Sequence, residues 1–509
     1  MKKLQTKRLM SVLICGLALL LSSCTDQQDS PVPPANEDQQ EELFQVADDF
    51  ESRADFLTAA YKKTKPQTTK VWDATVDPDD FVLLFVREDQ KKIYLIDDNG
   101  KQEIPESDWP TDYTEQPGEL VRGSFLLVKF KGRNSCMILD CRQDTENKCK
   151  MMGKAFNPTM YTCDLLTLFY HESFHRYVQD GKNRWTNPKN TSGQAPQVFP
   201  VDYNSRVYRK LMVLSLVNVL YDANRKTESY SRAKYWLNKF NTEYTSELER
   251  AKFTDIHEGT AEYFGRNVVH SVYHQYPVIQ DYDGTNLASP LRTEAYMLSI
   301  AIDLAVRDGR KDEVLKSFVN GLQSPIEILL KDIPVPANYQ ESADDADRNR
   351  IVAELDKLYG PESNIMKPLF DFIATHRSGK STYLVTKTRN NAMIQDLGHY
   401  ILTDNDLNGY QASLQAIVLL ENIALEGCTF LEHPATDCVF VPVDANNLTL
   451  TNIKTVEPIK HKIEGITING TATLSDCTPS ETVTVQNLPI DVKIGKDSFG
   501  NTIYFLQNN

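Results

Sequence analysis

The chain has 509 residues, with 55 lysines and arginines against 70 aspartates and glutamates, for a net charge of −15 at pH 7. That balance excludes a phosphate backbone or an anionic lipid surface as the main partner, because like charges repel at both. Apolar residues make up 41%, enough to fill a core, and past the first two dozen residues no run is long and apolar enough to span a bilayer.

At the start, Lys2, Lys3, Lys7 and Arg8 precede an apolar run from Met10 to Leu21, too short for a permanent membrane helix. Leu21-Ser22-Ser23-Cys24 follows, and the whole resembles a bacterial lipoprotein signal. The resemblance implies that residues 1–23 are removed and that Cys24 carries the lipid. Thr25, where an aspartate would retain the protein, implies sorting to the outer membrane. An ordinary secretory signal with a coincidental cysteine is the other reading. The expectation is a cell-envelope protein that meets the membrane only through its lipid, with its net charge moved from −15 to −19 by loss of the four cations. Residues 24–41 are polar and hold Pro31, Pro33 and Pro34, as a tether would. Seven cysteines remain in the body, and export permits disulfides. Cys141–Cys149 and Cys428–Cys438 are the nearest local pairings.

Residues 42–64 have a helical pattern. Phe81 to Ile104 alternates around Asp97-Asp98-Asn99-Gly100, a turn between strands, and Leu120 to Phe130 and Cys136 to Cys141 add further strands. Asn157-Pro158-Thr159 opens a helix whose stop is Gly181. Helices are expected at Arg206 to Tyr221, Ser231 to Arg250, Glu294 to Val306, Asp312 to Leu322 and Arg350 to Tyr359. From about residue 380 the composition turns to Thr, Val, Ile and Asn. Ser381 to Lys387, Ile463 to Leu474, Thr482 to Ile494 and Thr502 to Leu506 read as strands, with Ser498-Phe499-Gly500-Asn501 turning the last hairpin. Ala412 to Leu425 is a candidate helix among them. The fold class is therefore α+β: a small N-terminal sheet and a mostly helical half over residues 42–378, then a β-rich accessory domain over 379–509. The expectation for that last domain is a sandwich for substrate or surface attachment.

The segment His171-Glu172-Ser173-Phe174-His175 reads H-E-x-x-H and follows the apolar run Leu165 to Tyr170. On a helix, residues four apart share a face, so His171 and His175 aim two imidazoles at one point, as a zinc ion requires. Glu172 is then set to act on a water at that metal. The metzincin extension would need Gly at 178 and His at 181. Val178 and Gly181 stand there instead.

A third donor comes with the segment His257-Glu258-Gly259-Thr260-Ala261-Glu262-Tyr263. It resembles the Asn-Glu-Gly-Phe-Ala-x-Tyr segment of gluzincin metallopeptidases, which include the thermolysin-like and aminopeptidase-N-like enzymes. The resemblance implies a zincin-like catalytic domain, zinc on His171, His175 and Glu258, and Glu172 as general base. It also implies Glu262 as acceptor for a ligand histidine's outer N–H, in place of the family's aspartate. Glu258 and Glu262 are four apart on one face, a repulsive pair unless cations neutralise it. Glu262 could equally be a solvated helix carboxylate. His257 competes as ligand but points about 100° from Glu258 on an ideal helix. The family further places a tyrosine against the oxyanion, and Tyr296 matches; the alternative is a core tyrosine. His270 and His274 form a second pair four apart on the expected continuation of that helix, read as structural for want of a carboxylate at suitable spacing. Two departures stand out. His175 and Glu258 are 83 positions apart (258 − 175), and no Gly-x-Met-Glu-Asn segment is present, so aminopeptidase activity is not implied.

The function expected is zinc-dependent hydrolysis of peptide bonds in a protein or peptide substrate, with no nucleic acid involved. The rivals are a catalytically inactive surface lipoprotein that binds peptide or glycan, and a zinc hydrolase of a non-peptide bond.

Overall fold

The structure is a computed structural model of the full chain. It describes residues 24–25, 49–180, 197–279 and 290–387, less short loop gaps, and beyond 390 the residues 393–395, 398–402, 411–420, 423–433, 438–442, 449–452, 458–459, 481–483 and 491–507. The signal segment 1–23, the tether from 26 on, Gly181 and the expected strand Ile463 to Leu474 lie outside the described residues. Contacts divide the chain into two compact units, one of Met1–Gln194, Ser205–Thr285 and Leu291–Ala343, the other of Ala195–Asn204, Asn286–Pro290 and Asp344–Asn509.

The first unit mixes helix and sheet, as an α+β chain should. Helix α1 spans Phe50–Thr64, and the Asp49 side chain caps it by accepting from the Ser52 N–H at 2.8 Å. Five strands among the described residues make one sheet. They are β1 (Leu83–Arg87), β2 (Lys92–Asp97), β3 (Gly100–Glu103), β4 (Phe125–Phe130) and β5 (Arg133–Leu139), in the order β3-β2-β1-β5-β4. β1 and β5 run parallel and the other pairs antiparallel, so β4 is an antiparallel edge strand beside β5. Both faces of β1 are covered. Leu84 and Val86 join Met137, Leu139 and Val128 in one core layer, while Phe85 on the other face stacks with Phe50 of α1 at 4.7 Å between ring centroids. That explains the unbroken apolar run Leu83 to Val86.

The helical half follows. Helix α2 spans Pro158–Ser173 and continues without interruption as a π-helix over Phe174–Gln179. Next come α3 (Tyr203–Tyr221), α4 (Lys226–Glu243), α5 (Thr245–His270), α6 (Pro290–Leu298), α7 (Ile300–Arg307) and α8 (Lys311–Asn320). Two expected boundaries are corrected. The single helix Ser231 to Arg250 is two, because Tyr244 leaves the helical region (φ −118, ψ 43) and lays its ring on Phe240 and edge-on to Tyr208. Glu294 to Val306 is likewise interrupted at Ser299, whose N–H bonds three residues back to Tyr296. No described helix is long and apolar enough to cross a membrane.

In the second unit, helices cover Asp345–Tyr359 and Lys367–Arg377. The described strands that follow include Thr382–Lys387, Gln411–Leu420, Ile423–His433, Cys438–Pro442, Asp491–Lys496 and Thr502–Gln507, joined in one sheet. The last two form the expected hairpin, with Gly500 at φ 92 in its turn. Ala412 to Leu425 is not a helix. It falls on two antiparallel strands, as Ile417, Val418 and Ile423 favour, and a short apolar run cannot be assigned by periodicity alone. The expected Cys141–Cys149 pairing is not formed: Cys149 is disulfide-bonded, whereas Cys141, like Cys136 and Cys163, takes part in no disulfide. The side chains of Cys428 and Cys438 lie outside the described residues.

Candidate metal centre

The site begins with one cap. Asn157 Oδ1 accepts from the N–H groups of Thr159 and Met160, and Pro158 occupies the first helical turn, where a missing N–H costs nothing. From there α2 carries a wholly buried stretch from Tyr161 to His175. His171 and His175 share a face, with Nε2 atoms 3.0 Å apart. Helix α5 crosses α2 closely and sets Glu258 Oε2 at 3.5 Å from both Nε2 atoms. His171, His175 and Glu258 are the one such cluster of possible metal ligands found among the described residues.

The hydrogen bonds behind the triangle decide which atoms face into it. His171 Nδ1 lies 3.2 Å from Glu262 Oε2, and Glu262 is paired through its other oxygen with Arg266 Nε. A carboxylate held by arginine only accepts, so His171 donates from Nδ1. His175 Nδ1 lies 2.6 Å from Gln179 Oε1. Gln179 in turn donates from Nε2 to the His257 carbonyl at 2.7 Å and to Thr260 Oγ1 at 3.0 Å. A carbonyl only accepts, so the amide is oriented and its oxygen faces the imidazole. In their neutral forms both histidines would therefore present bare Nε2 lone pairs to one another and to a carboxylate oxygen. Three lone pairs converging in a buried space call for a cation.

Bonds of 2.0 to 2.2 Å in a tetrahedron put neighbouring donors roughly 3.3 to 3.6 Å apart. Two sides of the triangle, at 3.5 Å, have that spacing, and the side between the two imidazoles is shorter at 3.0 Å. The electrostatics of the site reflect the same crowding. Burial disfavours a charged His171, but its hydrogen bonds to Glu258 and Glu262 outweigh that and hold it above the ordinary imidazole range. Burial also works against ionised Glu258, yet Arg292 and the two histidines keep it well below the usual carboxylate range.

The remaining candidates fall as follows. Glu172 is 1% exposed and near enough to Cys136 on β5 that its charge, after burial itself, raises that thiol. Tyr296 reaches the site from α6, and its hydroxyl donates to Glu258 Oε2 at 3.2 Å rather than standing free. Its ring meets that of His171 edge-on at 5.6 Å. His257 is outside the triangle; it stacks on His175 at 4.3 Å between centroids, with Nδ1 3.6 Å from Glu258 Oε1. His270 ends α5 and bonds the Tyr276 carbonyl, while His274 lies past the helix in a turn.

Two residues at the site escaped the sequence reading. Gln179 was visible as a third member of the i, i+4 series 171, 175, 179, and the π-helical turn carries it against His175. Arg292 lies one turn before Tyr296, with Nε 3.3 Å from Glu258 Oε1. Comparison with protein families, with curated proteins and with solved structures returns no match.

Proposed function

We propose that this chain is a zinc-dependent metallopeptidase of the gluzincin type, exported and anchored through lipid on Cys24. On this reading residues 42–378 form a zincin-like catalytic domain and 379–509 a β-rich accessory domain. The observation that carries the proposal is the donor triangle of His171, His175 and Glu258, whose tautomers are forced by Glu262 and Gln179. These three side chains would hold the zinc. When bound, zinc polarises a carbonyl and acidifies water.

The protein's own groups supply the rest. Glu172, one position along the helix from His171, takes the proton from the attacking water and returns it to the leaving amine. Arg292 and Tyr296 hold Glu258 in place, and Tyr296 meets the oxyanion once its hydrogen bond to Glu258 is exchanged. An extended peptide is the substrate class that an antiparallel edge strand such as β4 accommodates, since main-chain pairing reads backbone and not side chain.

The test is the zinc content of the mature chain beside His171→Ala and Glu258→Ala. About one tightly held zinc per chain, lost or sharply weakened in both variants, is the expected result. No zinc in the unmutated protein after reconstitution overturns the enzyme reading and favours a binding lipoprotein. Glu172→Gln is expected to keep zinc and lose nearly all hydrolysis. A panel of ester and modified-amide substrates separates a peptidase from a hydrolase of another bond.

A further inference from the structure

The helices between His175 and Glu258, α3 and α4, deliver no atom to the donor triangle. α3 instead reaches the two helices behind it. Arg209 donates from Nε to Glu294 Oε2 at 2.6 Å and from its two terminal nitrogens to Asp255 at 2.5 and 3.2 Å. Arg206, one turn earlier, donates to the same Glu294 oxygen at 2.9 Å and also pairs with Glu247 near the start of α5. Arg206, Arg209, Asp255 and Glu294 are all buried.

Their places in the chain matter. Asp255 precedes Glu258 by three residues on α5, and Glu294 lies between Arg292 and Tyr296 on α6. One guanidinium thus ties the helix that bears the carboxylate donor to the helix that bears the two groups holding that carboxylate. The two helices also approach closely at Gly259, where a β-carbon would lie 3.2 Å from the Ala295 carbonyl oxygen. A planar fork suits the task, since it serves two carboxylates from three nitrogens at fixed angles, which a lysine cannot do.

Resting on the metal reading above, we propose that α3, which lies between His175 and Glu258 in the chain, is an internal brace of the metal site, not a mobile lid. Arg209 is its positioning residue and sets the distance of Glu258 from the two imidazoles. A lid would meet the site through exposed, exchangeable contacts. This segment meets it through buried ion pairs whose removal strands charge.

The test removes the brace without stranding charge. The triple variant Arg209→Met, Asp255→Asn, Glu294→Gln neutralises all three partners, and Arg209→Lys keeps the charge while losing the fork. Each is compared with the unmutated chain in thermal unfolding, in zinc affinity by chelator competition, and in the visible spectrum of the cobalt-loaded protein. The triple variant is expected to unfold cooperatively, to bind zinc about tenfold or more weakly, and to show an altered cobalt spectrum at full occupancy. Arg209→Lys is expected to show a smaller shift of the same kind. Unmutated affinity and an unchanged spectrum in the triple variant overturn the brace and leave the metal site standing. If the triple variant does not fold, an unchanged affinity and spectrum in Arg209→Lys overturn the brace instead. An unmutated chain that takes up no zinc overturns both readings together.

Discussion

Gly265 on α5 lies directly against Thr167 on α2: a β-carbon at position 265 would sit 2.8 Å from the Thr167 carbonyl oxygen and 3.3 Å from the His171 nitrogen. Side-chain carbons do not approach backbone oxygen that closely, so any larger residue must spread the two helices. These are the helices that carry His171 and His175 on one side and Glu258 on the other. Gly265→Ala is therefore expected to cost about 1 to 3 kcal/mol of stability as an overpacked contact and to weaken zinc binding in the same variant. Denaturant midpoints and a zinc titration measure both. A stable variant with full affinity would show that the helix spacing does not govern the site.

Gln179 makes a separable prediction. Its oxygen accepts from His175 Nδ1, and its amide group is spent on the His257 carbonyl and Thr260. Gln179→Leu keeps the bulk and removes the acceptor, leaving the tautomer of His175 unspecified. Loss of such an outer partner typically lowers metal affinity by about 10 to 100-fold, and that range is expected here with little change in secondary structure. Chelator competition, checked by circular dichroism, reads it.

The donors were legible in the sequence because a helix converts spacing into position: 171 and 175 share a face in any α-helix, and 258 and 262 in another. What spacing could not show was contact between helices. Gln179 extends the series 171, 175, but what its amide bonds lies on α5, and Arg292 matters only because α6 comes to lie beside Glu258, with nothing local to mark it. The break at Tyr244 was hidden for a related reason, since neither glycine nor proline punctuates it and a ring packing on Phe240 and Tyr208 makes the turn. Ala412 to Leu425 misled in the opposite sense, as its unbroken apolar stretch, Ala416 to Leu420, is too short to carry a period that separates helix from strand.

Tyr296 can be assigned by splitting two readouts. In this structure its hydroxyl serves Glu258, so Tyr296→Phe is expected to weaken zinc binding by about tenfold, in line with a hydrogen bond to a charged group. Zinc affinity left unchanged, beside turnover lowered by about 10² to 10³-fold, would assign the phenol to the oxyanion alone.

The junction of α1 with the sheet makes a prediction independent of any metal. Glu51 accepts from Lys92 Nζ and the Tyr94 hydroxyl and pairs with Lys101. The Lys92 hydrogen bond, followed by that of Tyr94, lowers its carboxyl from 4.5 to about 2. A depressed carboxylate stabilises the fold only while ionised. Its contribution is thus complete above the unfolded value and lost as pH falls from about 4.5 towards 2. The side chain is half exposed, so solvent and salt screen the pair and its effect is modest. The melting temperature of Glu51→Gln should lie below that of the unmutated chain at pH 6, and the difference should close towards pH 2. A gap that stays constant across that interval would mean that the residue acts through packing and not through its charge.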